Sequence, residues 1–306
     1  MLRQGFSDLE LLIVDDGSTD ETSEVAAELT AADGRVRVMR QEAFGLVTAL
    51  NRGVQEARGA LIARMDADDW AHPERLERQV AAMARRPQMA LLGTGWRMVG
   101  EGGVVRRVVV PPETDAGLRV AMGTANALAH PTVMMRRDAV LRVGGYRAAF
   151  AYAEDYDLWL RLMDRYEAGC LPEVLLDYRE HAGQSAWRAL EQRILSEMGA
   201  LAAADRRQAG RPDFGDASEP LDRERLMRMG LTAEEIAAGV IGRAMGSALD
   251  ARAAGQWRAM RQAARLGTAQ PDLAARTRAH FWGLWGQSWL RPAASAVADG
   301  GAEERL

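Results

Sequence analysis

Apolar residues in the first half of the chain come in short runs that stop at acidic or glycine-rich turns. Leu9 to Val14 reads as a buried strand, broken by Asp15-Asp16-Gly17-Ser18-Thr19-Asp20, after which Glu21 to Leu29 follows helical spacing. Arg35 to Arg40 predicts a second strand and Leu46 to Ala57 a second amphipathic helix. Ala60 to Met65 is a third apolar run, and it ends in Asp66-Ala67-Asp68-Asp69-Trp70. Beyond Pro73 a helix is expected to about Arg86, where Pro87 stops it. The alternation implies an α/β domain whose parallel sheet is covered by helices. Met1 to Phe6 reads as the end of a helix, with Gly5 at its left-handed C-terminal position.

Later runs point to strands of both directions. Ala90 to Gly95 and Val104 to Val110 flank the turn Gly100-Glu101-Gly102-Gly103, Thr132 to Arg136 is a further strand, and Gly144-Gly145-Tyr146 is a turn. Tyr152 to Tyr166 predicts a helix with Glu154 and Asp155 in its first turn, and Cys170 to Tyr178 returns as strand. The central sheet is therefore expected to be mixed but mainly parallel. From about Ala186 the pattern becomes helical and rich in Ala, Arg, Glu and Leu, interrupted by a linker near 210–220. Thr232 to Ala254, Gln256 to Leu266 and Asp272 to Leu290 read as successive helices. Two regions result: an α/β domain over 1–185 and an α-helical C-terminal region over 186–306.

Composition narrows the chemistry. With 306 residues, 48% of them hydrophobic, the chain can bury a substantial core. A net charge of −4 leaves no basic footprint for nucleic acid. Every basic residue is Arg, which excludes a Lys nucleophile, a Schiff base or a P-loop Lys. Cys170 is the single cysteine, so there is no internal disulfide and no Cys-based zinc site. No apolar run has the length of a membrane span and the start lacks a signal-peptide pattern, so a cytoplasmic protein is expected.

The acidic turns carry the candidate chemistry. Asp66, Asp68 and Asp69 follow a strand at the edge where open α/β sheets bind ligands, and hard cations prefer oxygen donors. Read alone, they fit equally well a polar turn in which Asp69 caps the next helix. Asp15-Asp16 fits a βα turn with Ser18 or Thr19 as helix cap, or carboxylates receiving a nucleoside's donors beside a phosphate-favouring helix N-terminus. A phospho-receiver site would need a Lys that the chain lacks.

Taken together and in order, Asp15-Asp16-Gly17-Ser18-Thr19-Asp20, Leu50-Asn51-Arg52-Gly53 with Ala57-Arg58-Gly59, Asp66-Ala67-Asp68-Asp69 and Ala153-Glu154-Asp155-Tyr156-Asp157-Leu158-Trp159 closely resemble the inverting family-2 glycosyltransferases. The resemblance runs from Leu2 to about Ser185 and implies a GT-A fold binding a nucleotide sugar, with a divalent cation, Mn²⁺ or Mg²⁺. It implies that Asp16, with Asp15 beside it, meets the nucleotide base, and that Asn51 lies by the nucleotide. Asp66 would face ribose or metal and Asp68 the metal, with His181 near metal or diphosphate. Glu154-Asp155 would supply the general base, Asp155 being the chosen residue. An acceptor hydroxyl must lose a proton as it attacks, and a positioned carboxylate contributes roughly 10²–10⁴-fold.

Further expectations follow from the same resemblance. Arg179 and Ser185 share the loop of His181, and His130-Pro131-Thr132 would shape the acceptor side. Trp70, Trp96 and Trp159 are candidates for stacking on sugar, Trp159 being better suited to the core. The donor would be a UDP- or dTDP-sugar and the acceptor a glycan, lipid-linked or polysaccharide chain, as in polysaccharide biosynthesis. Phe281 to Leu290, between Arg278 and Arg291, would pack on the helical region or rest on the inner face of a membrane as a peripheral contact. Family members begin with a strand and helix of about 20 to 25 residues that have no counterpart here. An N-terminally truncated chain is thus expected, and a non-catalytic remnant serving as a binding or scaffold protein is the alternative function. A nucleotidyltransferase would show a Gly-rich loop with Lys, absent here.

Overall fold

The computed structural model describes residues 1–180, 189–213, 219–253 and 257–270. The first apolar runs become β1 (Leu11–Asp16), α1 (Thr22–Ala32), β2 (Val36–Gln41) and α2 (Leu46–Glu56). Next come β3 (Leu61–Ala63), β4 (Trp70–Ala71) and α3 (Arg75–Arg85). The long strand β5 (Met89–Val99) turns through a 3₁₀ segment into β6 (Val105–Val109). Then follow α4 (Asp115–Met122), β7 (Met134–Arg136), α5 (Arg137–Arg142), α6 (Glu154–Met163) and β8 (Glu167–Arg179).

The strands form a parallel pair, β1–β2, and a six-stranded sheet in the order β3-β7-β5-β8-β4 with β6 on β5. Among the described residues neither β1 nor β3 has a strand partner on its second edge. The sheet is mixed as expected, but the parallel majority is not found in the pairings: only β1–β2 and β5–β8 are parallel. The cause is β7, which is antiparallel to both β3 and β5 and so separates strands that run the same way.

Local expectations also shift in three places. Residues 1–6 form a turn, Gln4 N donating to Met1 O at 3.1 Å, and Gly5 is not left-handed; its N–H donates to Pro73 O at 2.8 Å instead. Neither Ser18 nor Thr19 caps α1, because the helix begins later, at Thr22, whose N–H donates to Asp20 Oδ1 at 3.1 Å. His130–Thr132 is a 3₁₀ turn, so the strand after it starts only at Met134.

The helical region contributes α7 (Leu190–Gln208), α8 (Arg223–Arg228), α9 (Ala233–Ala253) and α10 (Trp257–Thr268). Thr232 and Glu235 form a reciprocal capping box at the start of α9, with bonds of 3.1 and 2.7 Å. One apolar core runs through both regions: Leu91, Tyr156, Leu158 and Trp159 belong to the same cluster as Ile194, Leu226, Val240 and Met260. The third expected helix, Asp272 to Leu290, and the aromatic stretch within it lie outside the described residues. No described helix is long and apolar enough to cross a membrane.

Candidate active site

Strand β3 ends one residue before Arg64, and the chain turns at Asp66 with Asp69 N approaching Asp66 O at 3.4 Å. Arg64 forms an ion pair with Asp66 through Nη1, and its side chain is largely buried. Asp68 is exposed on the same turn. Asp69 does not cap α3. Its Oδ1 accepts from Arg179 N at 2.8 Å, tying the turn to the end of β8, while Oδ2 is buried with no hydrogen-bond partner among the described residues. Burial, reinforced by the Asp66 and Asp68 charges, pushes the Asp69 carboxyl up to about 7.

Below this turn lies a polar clamp. Arg75 is fully buried and reaches Arg64 O at 2.9 Å and Val133 O at 3.3 Å through Nη2, and Gln79 Oε1 at 3.1 Å through Nε. Gln79 Nε2 in turn donates to Leu92 O at 3.0 Å and Thr132 O at 2.9 Å. These bonds hold the carboxyl end of β3 in register with β5 and with the loop that enters β7.

Opposite stands the N-terminus of α6. Glu154 is buried and Asp155 half-buried, and the residue two before Glu154, Tyr152, has the left-handed φ of 66° that a side chain with a Cβ rarely adopts. The segment is held in place by charge: Asp157, wholly buried, accepts from Arg147 Nε at 2.9 Å and Arg161 Nη2 at 2.7 Å. Arg147 also reaches Asp213 at 2.9 Å, beyond α7. Asp155 Oδ1 accepts from Tyr156 N at 2.7 Å and Oδ2 from Asn126 Nδ2 at 2.9 Å. Burial, then the Glu154 charge, raises the Asp155 carboxyl to about 7, and burial raises Glu154 as well. The Arg64 charge acts on Asp69, Glu154 and Asp155 alike, favouring the ionised form of each.

The remaining predicted residues are placed as follows. Asp15 is buried and both its oxygens are engaged, by Ser18 N at 2.8 Å and Ser23 Oγ at 2.7 Å, which holds its carboxyl down at about 2. Asp16 accepts from Gln41 Nε2 at 2.7 Å, Phe44 N at 3.0 Å and Gly45 N at 2.9 Å, ordering the turn into α2. Asn51 makes a two-way bond with the backbone of Tyr146, at 2.9 and 2.8 Å, and so pins the Gly144-Gly145 turn. His130 is buried, bonded to Tyr146 Oη at 2.8 Å and edge-on to Trp159; burial keeps its pKa well below the usual value, so the ring is neutral. Trp159 is core, Trp96 packs beside Tyr178, and Trp70 is 73% exposed on β4, near the Asp66–Asp69 turn in sequence. His181 and Ser185 lie outside the described residues. Sequence patterns did not single out Arg64, Asn126, Tyr152, Arg75 or Gln79. Only Arg64, a charge inside an apolar run, carries a signal that could have done so.

Among the described residues no group of three or more His, Cys, Asp and Glu side chains could hold a metal by itself. The donors that are present fit a hard cation bound by one or two carboxylates and completed by phosphate oxygens: two aspartates on one turn, with a bare buried oxygen of Asp69 beside them.

The glycosyl transferase family 2 model matches residues 1–144. The chain is 36% identical over 189 residues to the O-antigen biosynthesis glycosyltransferase WbnJ of Escherichia coli, covering 59% of this chain and 72% of that one. It is 32% identical over 228 residues to the putative glycosyltransferase EpsE of Bacillus subtilis, covering 73% and 81%. A mannosyltransferase from Pyrobaculum calidifontis, solved in complex with GDP-Man and Mn²⁺, superposes over 99% of this chain and 81% of its own with a TM-score of 0.52 at 19% identity, a likeness of fold. With an acidic turn after β3 and the Glu154-Asp155 pair at the start of α6 on a mixed α/β sheet, and with relatives of this similarity and coverage, the chain belongs to glycosyl transferase family 2.

Proposed function

We propose that the protein transfers a sugar from a nucleoside-diphosphate donor to a glycan acceptor in surface-polysaccharide assembly, by single displacement with inversion. The observation that carries this reading is that Arg64, paired with Asp66 on the acidic turn, also exerts its charge on Asp69, Glu154 and Asp155, linking the turn to the acidic pair of α6. Asp155 takes the proton of the acceptor hydroxyl as its oxygen bonds to the anomeric carbon. The bond from that carbon to the donor phosphate breaks, and the electron pair leaves with the nucleoside diphosphate. A carboxyl whose pKa is raised by burial and by the Glu154 charge suits this role, because it is more basic than an ordinary carboxylate and so better able to accept a proton. Asp66 and Asp68 would hold Mn²⁺ or Mg²⁺, which when bound supplies charge stabilisation to the departing diphosphate. His181 is the further candidate ligand. Asp15, Asp16 and Asn51 build the nucleotide side in this reading, Asp16 ordering the loop 41–45 and Asn51 the turn 144–146.

The relative WbnJ, an O-antigen biosynthesis glycosyltransferase, supports an O-antigen-type polysaccharide acceptor. UDP- and dTDP-sugars rest on the sequence resemblance, whereas GDP-Man is the ligand of the Pyrobaculum neighbour, so a donor panel spans all three nucleotides. Any association with a membrane is peripheral in this reading. The test is transfer or donor hydrolysis with Mn²⁺: Asp155→Asn should keep nucleotide binding and lose roughly 10²–10⁴ in turnover. Unchanged turnover would remove Asp155 from the reaction.

A further inference from the structure

Asp155 is served by two donors of different kinds. Tyr156 N–H belongs to the same helix and would be present for any acidic residue at 155. The Asn126 side chain comes from the loop 123–129, nearly thirty residues upstream, and meets Oδ2 at 2.9 Å. We propose that Asn126 is the positioning residue for the base, fixing the Asp155 carboxylate in one rotamer and favouring its proton-accepting form. The proposal rests on the reading of Asp155 as general base.

The loop is built to present this amide. Asn126 Oδ1 accepts from Leu128 N at 3.3 Å, so the carbonyl end of the side chain is engaged and the NH₂ end must face Asp155. Leu128 is buried against Gly93, where any Cβ would come within 2.5 Å of its Cδ2, so the loop seats closely on β5. At its other end the loop leaves Met122, whose carbonyl accepts from Tyr156 Oη and whose sulfur lies 3.2 Å from Ala127 N. Adjacent residues of α6, Asp155 and Tyr156, are thus both fastened to the segment 122–126.

The other groups facing Asp155 do not replace this contact. Glu154, on the same helix, opposes ionisation. Arg64 favours it from the end of β3 but is paired with Asp66. Tyr146, from the turn after α5, keeps its proton, and its hydroxyl is bonded to the neutral His130. Among the described residues Asn126 is the side chain that hydrogen-bonds the Asp155 carboxylate, and it does so without adding charge.

The test follows the pH dependence of kcat/KM for Asn126→Leu, Asn126→Asp and Asn126→Ser beside Asp155→Asn. Without the donor, Asn126→Leu should move the acid limb up by about one pH unit and lower kcat, with donor KM unchanged. Asn126→Asp should move it further, by placing carboxylate against carboxylate, and Asn126→Ser, which keeps a donor, should move it least. A lowered melting temperature with an unmoved acid limb in all three variants overturns the proposal and leaves a structural role. If Asp155→Asn is inactive while the limbs stay fixed, this proposal alone falls. If Asp155→Asn retains turnover, the base assignment falls and takes the proposal with it.

Discussion

Arg75 offers a direct measure of how strongly the clamp beneath the acidic turn holds the site. Its guanidinium is fully buried, hydrogen-bonds to no carboxylate among the described residues, and is opposed first by burial and then by the Arg64 charge. Arg75→Met keeps most of the packing and removes the charge. Three acceptors then lose their donor, Arg64 O, Gln79 Oε1 and the weaker Met65 Sδ at 3.3 Å, whereas Val133 O keeps its bond from Arg64 N at 3.1 Å. Each bare buried acceptor costs about 1–3 kcal/mol, and release from burying an ion offsets part of the total, which places Arg75→Met at about 2 kcal/mol. Arg75→Ala adds a cavity and should cost about 4–5 kcal/mol. Equilibrium unfolding in urea reads both, as a lower midpoint at constant slope. Activity should fall in the stable Met variant too, because the Arg64 carbonyl lies two residues before Asp66. An Arg75→Met protein as stable as the parent would refute the reasoning, showing that the buried charge costs as much as its hydrogen bonds return.

Two further outcomes are expected. Gly145 has φ +70°, and a Cβ there would lie 2.5 Å from Asn51 Oδ1, so Gly145→Ala should destabilise by about 1–3 kcal/mol by denaturant titration. Asn51→Ala should relieve the clash without restoring the turn. Asp15, whose pKa is lowered to about 2 from the ordinary 3.8 by its Ser18 and Ser23 bonds, contributes stability above pH 4 that is lost as pH falls through 2. Thermal scans of Asp15→Asn should therefore show a lower melting temperature at pH 6 and a shallower decline between pH 4 and 2.

The acid-bearing turns were legible because each follows an apolar run short enough to be a strand, and strand ends gather at one edge of a sheet. Roles were less legible than places. Asp69 read as a helix cap because it precedes a helix, yet Arg179, over a hundred residues later, takes its Oδ1 and leaves Oδ2 bare. Asn126 sits among Gly, Thr and Ala with nothing in its neighbourhood to mark it, since its partner is set by how the loop seats on β5. Arg75 and Gln79 interrupt the apolar face of α3, a pattern that local reading assigns to solvent. The expectation of mainly parallel pairing failed because periodicity reports that a strand is buried, not which way its neighbour runs.

The uneven attachment of β1–β2 bears on how the two walls of the site behave over time. The wall bearing Glu154 and Asp155 is rooted in the shared core, through Leu158, Trp159 and the Asp157 ion pairs. The strand pair carrying Asp15 and Asp16 contributes little to that core: Val25, Leu29, Val38, Phe44 and Leu46 around it are solvent-facing, and among the described residues β1 pairs with no strand other than β2. Amide exchange should consequently be fast in residues 11–46 and slow in residues 154–163, with opening of the first unit well below the global unfolding free energy. A nucleotide that bridges the two units would then lend the first the stability it does not derive from packing, so that donor binding registers as protection far from the reacting carbon.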